Sequence, residues 1–274
     1  MLLSMFAICA IAASCFTFFF AETVSLLWLP LFAIAYFAAC VALWALFVIV
    51  LSYTVDQSKP TGPNQRRWRR LIVETLRMAF PLLHVKISVT GMEKLPTGCN
   101  FLFTCNHIEI YDPMVALVAL REFDMTFISK KENMDKWVVG NLMHAAGMLP
   151  IDRENDRAAV RTVVQAAKLL KEGEVSVGLY PEGYCKLDPN LVLLPFRDGS
   201  LKVAQKSGVP IVVATVQGSE RIMKDLLRKW RTEVKLDILD VIPAEEVTGR
   251  TTKQISEQIW KTMYDKLTEG ACEV

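Results

Sequence analysis

The first 55 residues contain no lysine or arginine and a single acid, Glu22. A stretch that long without charge is unsuited to water and excludes a solvated domain at that end of the chain. The seven cysteines, Cys9, Cys15, Cys40, Cys99, Cys105, Cys185 and Cys272, form no CxxC pair, and three of them lie inside the apolar leader. That spacing excludes a disulfide framework and a zinc site. Scattered thiols fit a reducing, cytosol-facing compartment for the remainder. Histidine is scarce, with only His84, His107 and His144, so a general base of that type has three candidates. No GxSxG elbow occurs, which disfavours a serine lipid hydrolase. No internal repeat or low-complexity segment is present.

What the uncharged end does contain is two long apolar runs, "MLLSMFAICAIAASCFTFFF" and "LPLFAIAYFAACVALWALFVIVL". Each meets the roughly 20 apolar residues that a bilayer crossing requires. With "AETVS" between them they read as a helical hairpin turning near Glu22, its first limb crossing the bilayer fully or in part. A cleaved leader is the rival reading, but the basic n-region is missing and a second span follows at once. "KPTGPNQRRWRR" comes next and brings Arg66, Arg67, Arg69 and Arg70 close behind the second run. Positive charge beside a span marks the cytoplasmic side, so both ends of the hairpin and all that follows are expected there. All 31 basic residues and 28 of the 29 acids lie beyond residue 55, giving 31 − 28 = +3 on that part. The 52% apolar content therefore comes largely from the leader. "RRWRRLIVETLRMAFPLL" mixes arginines with Trp68, Leu71, Ile72, Leu76 and Met78. It suits a helix on an anionic lipid surface and equally a docking helix with a solvated basic face.

From residue 84 the chain alternates short β-like runs with helical patterns, which predicts an α/β domain. The β-like runs are "HVKISVTG", "NFLFTC", "MTFIS", "GMLPID", "VSVGLYP", "PIVVATVQ" and "VKLDILDVI". "DRAAVRTVVQAAKLLKEG" has helical spacing and closes on Gly173, while Thr251 and Gln254 stand at capping-box spacing before a last helix. The expected organisation is a membrane hairpin over 1–55, a basic linker and amphipathic helix over 56–83, and a cytoplasmic domain over 84–274. Its fold class is α/β, a mixed central sheet flanked by helices.

Of the histidines, only His107 follows an apolar strand and opens a polar turn, in "TCNHIEIYDP". Asp112 lies five positions on, so the two meet only if the backbone turns between them. Asp112-Pro113 also has the form of a helix start, with Asp as N-cap and Pro at the first helical position. Both roles stay open on these residues alone. Cys105 sits two places before His107 and reads as a small buried residue more than a nucleophile.

Asn106, His107 and Asp112 match NHxxxxD, the first motif of the glycerolipid acyltransferase family, best known through the lysophosphatidic acid acyltransferases, and the chain resembles that family further along. "GMLPIDRE" resembles its second motif with Arg153 in the basic position, "YPEG" (Tyr180 to Gly183) its third, and "GVPIVVATV" its fourth, in the family order. The resemblance covers roughly residues 84 to 245 and implies transfer of a fatty acyl group from acyl-CoA or acyl carrier protein to a lysophospholipid hydroxyl. The acceptor it favours is 1-acylglycerol-3-phosphate, giving phosphatidic acid. It further implies His107 as general base, Asp112 as the acid behind it, and Arg153, Glu182 and Gly183 around the acceptor phosphate, with no metal or other cofactor. Where family members with phosphate-bearing acceptors continue the third motif with Thr-Arg-Ser, this chain has Tyr184, Cys185 and Lys186. An arginine is missing there. Lys186, Arg197 and Lys202 are further cations, though lysine lacks the two-pronged guanidinium contact. Alternatives are a different lysolipid acceptor or an idle membrane protein that binds acyl chains. The compact size and absence of sorting tails point to a bacterial inner membrane.

Overall fold

The computed structural model describes residues 2–20, 28–185 and 192–269. Helices α1 (Leu2–Phe20) and α2 (Leu29–Ser52) pack against each other. Phe6 meets Trp44 with ring centroids 6.4 Å apart, and Thr17 hydrogen-bonds the Tyr36 hydroxyl at 2.8 Å, so the two run antiparallel. The turn expected near Glu22 lies outside the described residues. Both helices are long and apolar enough to cross a membrane, and most of their large side chains face outward, Ile8, Phe19, Ile34 and Leu43 among them. An apolar surface on all sides suits lipid as solvent.

Helix α3 (Gln65–Leu82) carries the arginine-rich segment. Its Ile72, Val73, Leu76 and Phe80 pack into the core beneath, and Trp44 of α2 donates to Thr75 at 3.2 Å, so α3 joins the hairpin to the domain. Arg66, Arg67 and Arg70 are exposed, but Arg69 turns inward. Its guanidinium makes a two-pronged contact with Asp124 (2.7 and 2.8 Å) and donates to the Ala146 carbonyl at 2.9 Å.

The domain continues with β1 (Val85–Thr90), β2 (Leu102–Cys105), α4 (Asp112–Ala119), β3 (Met125–Lys130), α5 (Trp137–Ala145), β4 (Leu149–Ile151), α6 (Asp156–Lys171) and β5 (Ser176–Leu179). After these come α7 (Lys202–Ser207), β6 (Ile211–Gln217), α8 (Ile222–Asp225), β7 (Thr232–Ile242), α9 (Ala244–Gly249) and α10 (Thr252–Glu269). All seven β-like runs are strands. They form one mixed sheet in the order β1-β7-β6-β2-β5-β3-β4, antiparallel only between β6 and β7. Alternation of side chains sends Phe103 and Cys105 to the face under α3 and α4, and Leu102 to the face under α6, α7 and α10. Asn155 caps α6 by accepting from Ala158, and Thr251 and Gln254 make the reciprocal box expected before α10. Strands β2, β3, β5 and β6 share one direction, so their carboxyl ends and the loops that leave them lie at one edge.

Candidate active site

At the carboxyl edge β2 does not simply stop. Asn106, buried, accepts from the Val216 amide (2.7 Å) and donates to the Val216 carbonyl (3.1 Å), so a side chain continues the pairing with β6 for one more step. The chain is then free to turn. Asp112 closes that turn, its Oδ2 accepting from the Ile108 amide (2.7 Å), the Glu109 amide (2.8 Å) and His107 Nδ1 (2.9 Å). Helix α4 starts one residue earlier than expected, at Asp112 with Pro113 second, and Tyr111 occupies the N-cap position and makes no side-chain cap. The Asp112 carboxylate therefore caps the preceding turn and not the helix. One oxygen both holds the turn and fixes the imidazole.

The His107 ring lies on Tyr180, centroids 4.4 Å apart and planes within 24°. Its Nε2 lies 3.3 Å from the Cys185 sulfur. Burial lowers the imidazole's hold on a proton, but the hydrogen bonds to Asp112 and Cys185 and the negative charge of Asp112 outweigh it, and the pKa is pushed up to about 9. A neutral ring would keep its proton on Nδ1 toward Asp112, leaving Nε2 free to accept.

Glu182 is buried and both its oxygens are occupied, one by the His107 amide (2.6 Å) and the other by the Leu194 amide (2.8 Å). It ties the histidine turn to the segment after the third motif. Burial pushes its carboxyl up from the ordinary value despite those bonds. Gly183 has φ +78°, a conformation that favours glycine, and a Cβ there would crowd Arg197 Nε at 3.1 Å. Arg153, just past β4, places its guanidinium carbon 4.8 Å from the Tyr184 ring centroid; burial, and after it the nearby Arg197, weakens its hold on its proton.

Other candidates lie apart from this array. Cys105 is buried in the core, and burial pushes its thiol well up, so it has no nucleophilic character. His144 contacts the Lys59 carbonyl, His84 stacks on Trp230, and Lys202 opens α7 at the surface. Lys186 lies outside the described residues. Among the described residues no three His, Cys, Asp or Glu side chains gather to hold a metal. A cleft of about 700 Å³, lined by Arg66, Arg69, Asn100 and Asp124, opens at the opposite edge, away from His107. Two contacts were not visible in the sequence: Cys185 against His107, and Arg197 against Gly183 and Tyr184. The only sequence signal for either was the missing third-motif arginine.

Residues 86–217 match the model of the family described as Acyltransferase. The chain is 27% identical over 188 residues to 1-acyl-sn-glycerol-3-phosphate acyltransferase of Bacillus subtilis (strain 168), across 66% of this chain and 89% of that one. It is 23% identical over 221 residues to 1-acyl-sn-glycerol-3-phosphate acyltransferase alpha of Homo sapiens, across 80% and 76%. The crystal structure of the 1-acyl-sn-glycerophosphate (LPA) acyltransferase PlsC from Thermotoga maritima has the same fold, with a TM-score of 0.63 over 87% of this chain and 94% of that chain at 23% identity.

Proposed function

We propose, from the premise that this chain is a member of the acyltransferase family, that it moves a fatty acyl group from a thioester carrier, coenzyme A or acyl carrier protein, to the free hydroxyl of 1-acylglycerol-3-phosphate. The product is phosphatidic acid. The relatives' names support the acceptor class. The observation that carries the reading is the row formed by Asp112 Oδ2, His107 Nδ1 and His107 Nε2, whose free side meets only the Cys185 thiol among the described residues.

The acceptor hydroxyl takes the place against Nε2 that the Cys185 thiol holds. His107 removes its proton as the oxygen attacks the thioester carbonyl, and Asp112 holds the tautomer and stabilises the imidazolium. Collapse expels the carrier thiolate, which receives that proton. With a pKa of about 9, only about one ring in a hundred is neutral at pH 7. Displacing Cys185 removes one of the two hydrogen bonds that hold the proton, which favours the base form in the loaded site. Arg153 holds the acceptor phosphate, Glu182 and Gly183 shape the approach to it, and no metal or other cofactor is called on. The hairpin sits in a bacterial inner membrane with the α/β domain on the cytoplasmic side, a placement supported by the exposed Arg66, Arg67 and Arg70 behind the second span.

Full-length protein in lipid nanodiscs, given acyl-CoA and a panel of lysolipids, tests this reading by mass spectrometry of the products. Phosphatidic acid should dominate. If lysophosphatidic acid were the poorest acceptor, the assignment would be wrong, and absence of all transfer would favour the idle acyl-binding alternative.

The 3.3 Å approach of Cys185 to Nε2 favours a second reading. Cys185 Sγ attacks the donor thioester, His107 passes the thiol proton to the departing carrier thiolate, and the acyl group rests on Cys185 until the acceptor hydroxyl displaces it through the same histidine. Cys185→Ala separates the two routes. It abolishes transfer in the two-step route and leaves it in the direct one.

A further inference from the structure

The third motif lacks its arginine at Cys185, yet the described residues place a second guanidinium beside that motif from another part of the chain. Arg197 crosses Gly183, with its Nε 3.1 Å from where a Cβ would stand. Its guanidinium carbon is 5.0 Å from the Tyr184 ring centroid, and its Nη2 donates to the Tyr184 hydroxyl at 3.1 Å. The Arg197 amide donates to the Pro181 carbonyl at 2.9 Å, which pins the backbone beside the motif. Arg153 lies over the same ring at 4.8 Å.

Two guanidiniums therefore gather around one half-exposed tyrosine. Neither makes an ion pair with a carboxylate among the described residues. Gathering like charges costs free energy that an anion bound beside them offsets. The side-chain chemistry selects the anion: each guanidinium presents parallel N–H donors that match the oxygens of a terminal phosphate. A zwitterionic or neutral headgroup offers less charge to such a pair. Tyr184, which replaces the family's threonine, serves as the face on which both cations rest.

We propose that Arg197 is a specificity-determining residue, gripping the terminal phosphate of the acceptor together with Arg153 and replacing the guanidinium that Cys185 lacks. This rests on the acceptor-phosphate reading above and makes the enzyme selective for a phosphomonoester lysolipid. The charge has moved along the chain while keeping its place beside the third motif.

The test compares wild-type protein, Arg197→Ala and Arg197→Lys, each full-length in nanodiscs, with lysophosphatidic acid and with 1-monoacylglycerol. Arg197→Ala should raise KM for lysophosphatidic acid at least tenfold, leave kcat within about threefold, and lower the preference for lysophosphatidic acid over monoacylglycerol at least tenfold. Inorganic phosphate should compete with lysophosphatidic acid in the wild type and compete at least tenfold less well in Arg197→Ala. Arg197→Lys should fall between the two, and it carries the test alone if the alanine variant fails to fold. Unchanged KM, or an equal loss toward both acceptors, would overturn the proposal, because a merely structural arginine does not discriminate between headgroups. A wild-type enzyme that rejects lysophosphatidic acid fails at the first arm and identifies the acceptor reading as the fault. A wild type that accepts it with indifferent Arg197 variants leaves that reading standing and removes only Arg197.

Discussion

Two acid–base pairs sit at opposite edges of one sheet and behave as different devices. At the amino edge, Arg69 meets both oxygens of Asp124 and adds the Ala146 carbonyl, with Arg66 3.5 Å from the same carboxylate. At the carboxyl edge, Asp112 Oδ2 takes two amides and His107 Nδ1, and the other ring nitrogen meets only the Cys185 thiol among the described residues. The first pair is closed and bolts α3 to the sheet. The second is anchored on one side and open on the other, as proton transfer requires.

The comparison can be broken from either edge. His107→Ala removes the open end, and acyl transfer should fall by about 10³-fold or more, with the thermal unfolding midpoint little changed; phosphatidic acid formation by the purified variant measures it. Arg69→Ala removes the two-pronged tie between α3 and the sheet and leaves Asp124, at the cleft, with Arg66 as its remaining partner. A loss of about 1 to 3 kcal/mol of stability is expected, read as a lower unfolding midpoint, with activity per folded molecule retained. The reverse pattern in either variant would exchange the two roles.

Asp112→Asn cuts the link between anchor and base. Transfer should fall by about a hundredfold, and the pH at which kcat/KM reaches half its plateau should move down. The sign follows from the cause: Asp112 raises the imidazole's pKa while burial lowers it, so removing Asp112 leaves burial dominant. Cys185→Ala should give the smallest change in the direct route, a downward shift of the same profile with transfer retained, since Cys185 also raises that pKa.

The open pair was legible in the sequence and the closed one was not. "TCNHIEIYDP" announces a strand end, a turn and a helix start, and the later motifs in family order gave His107 and Asp112 their suggested roles. The seven strands were equally visible, because apolar strands of a buried sheet read as runs bounded by turn residues. Arg69 stood in a basic cluster where every arginine had the same apparent prospect, and only the packing of α3 singles out the one that faces Asp124. Asp112 read as a helix cap because residue type and the following proline fit one. The backward direction of its carboxylate depends on amides that the turn exposes. Cys185 and Arg197 meet their partners through loop closure across distant segments, tied by Glu182 between His107 and Leu194. No local pattern encodes such a contact.

The pH dependence of kcat/KM for the wild-type enzyme tests most directly whether His107, held by Asp112, is the base. A free-enzyme base with a pKa of about 9 must lose its proton before it can act, so kcat/KM should rise about tenfold per pH unit from pH 6 and level off near pH 9. A profile flat across that range, with the protein folded throughout, would contradict it.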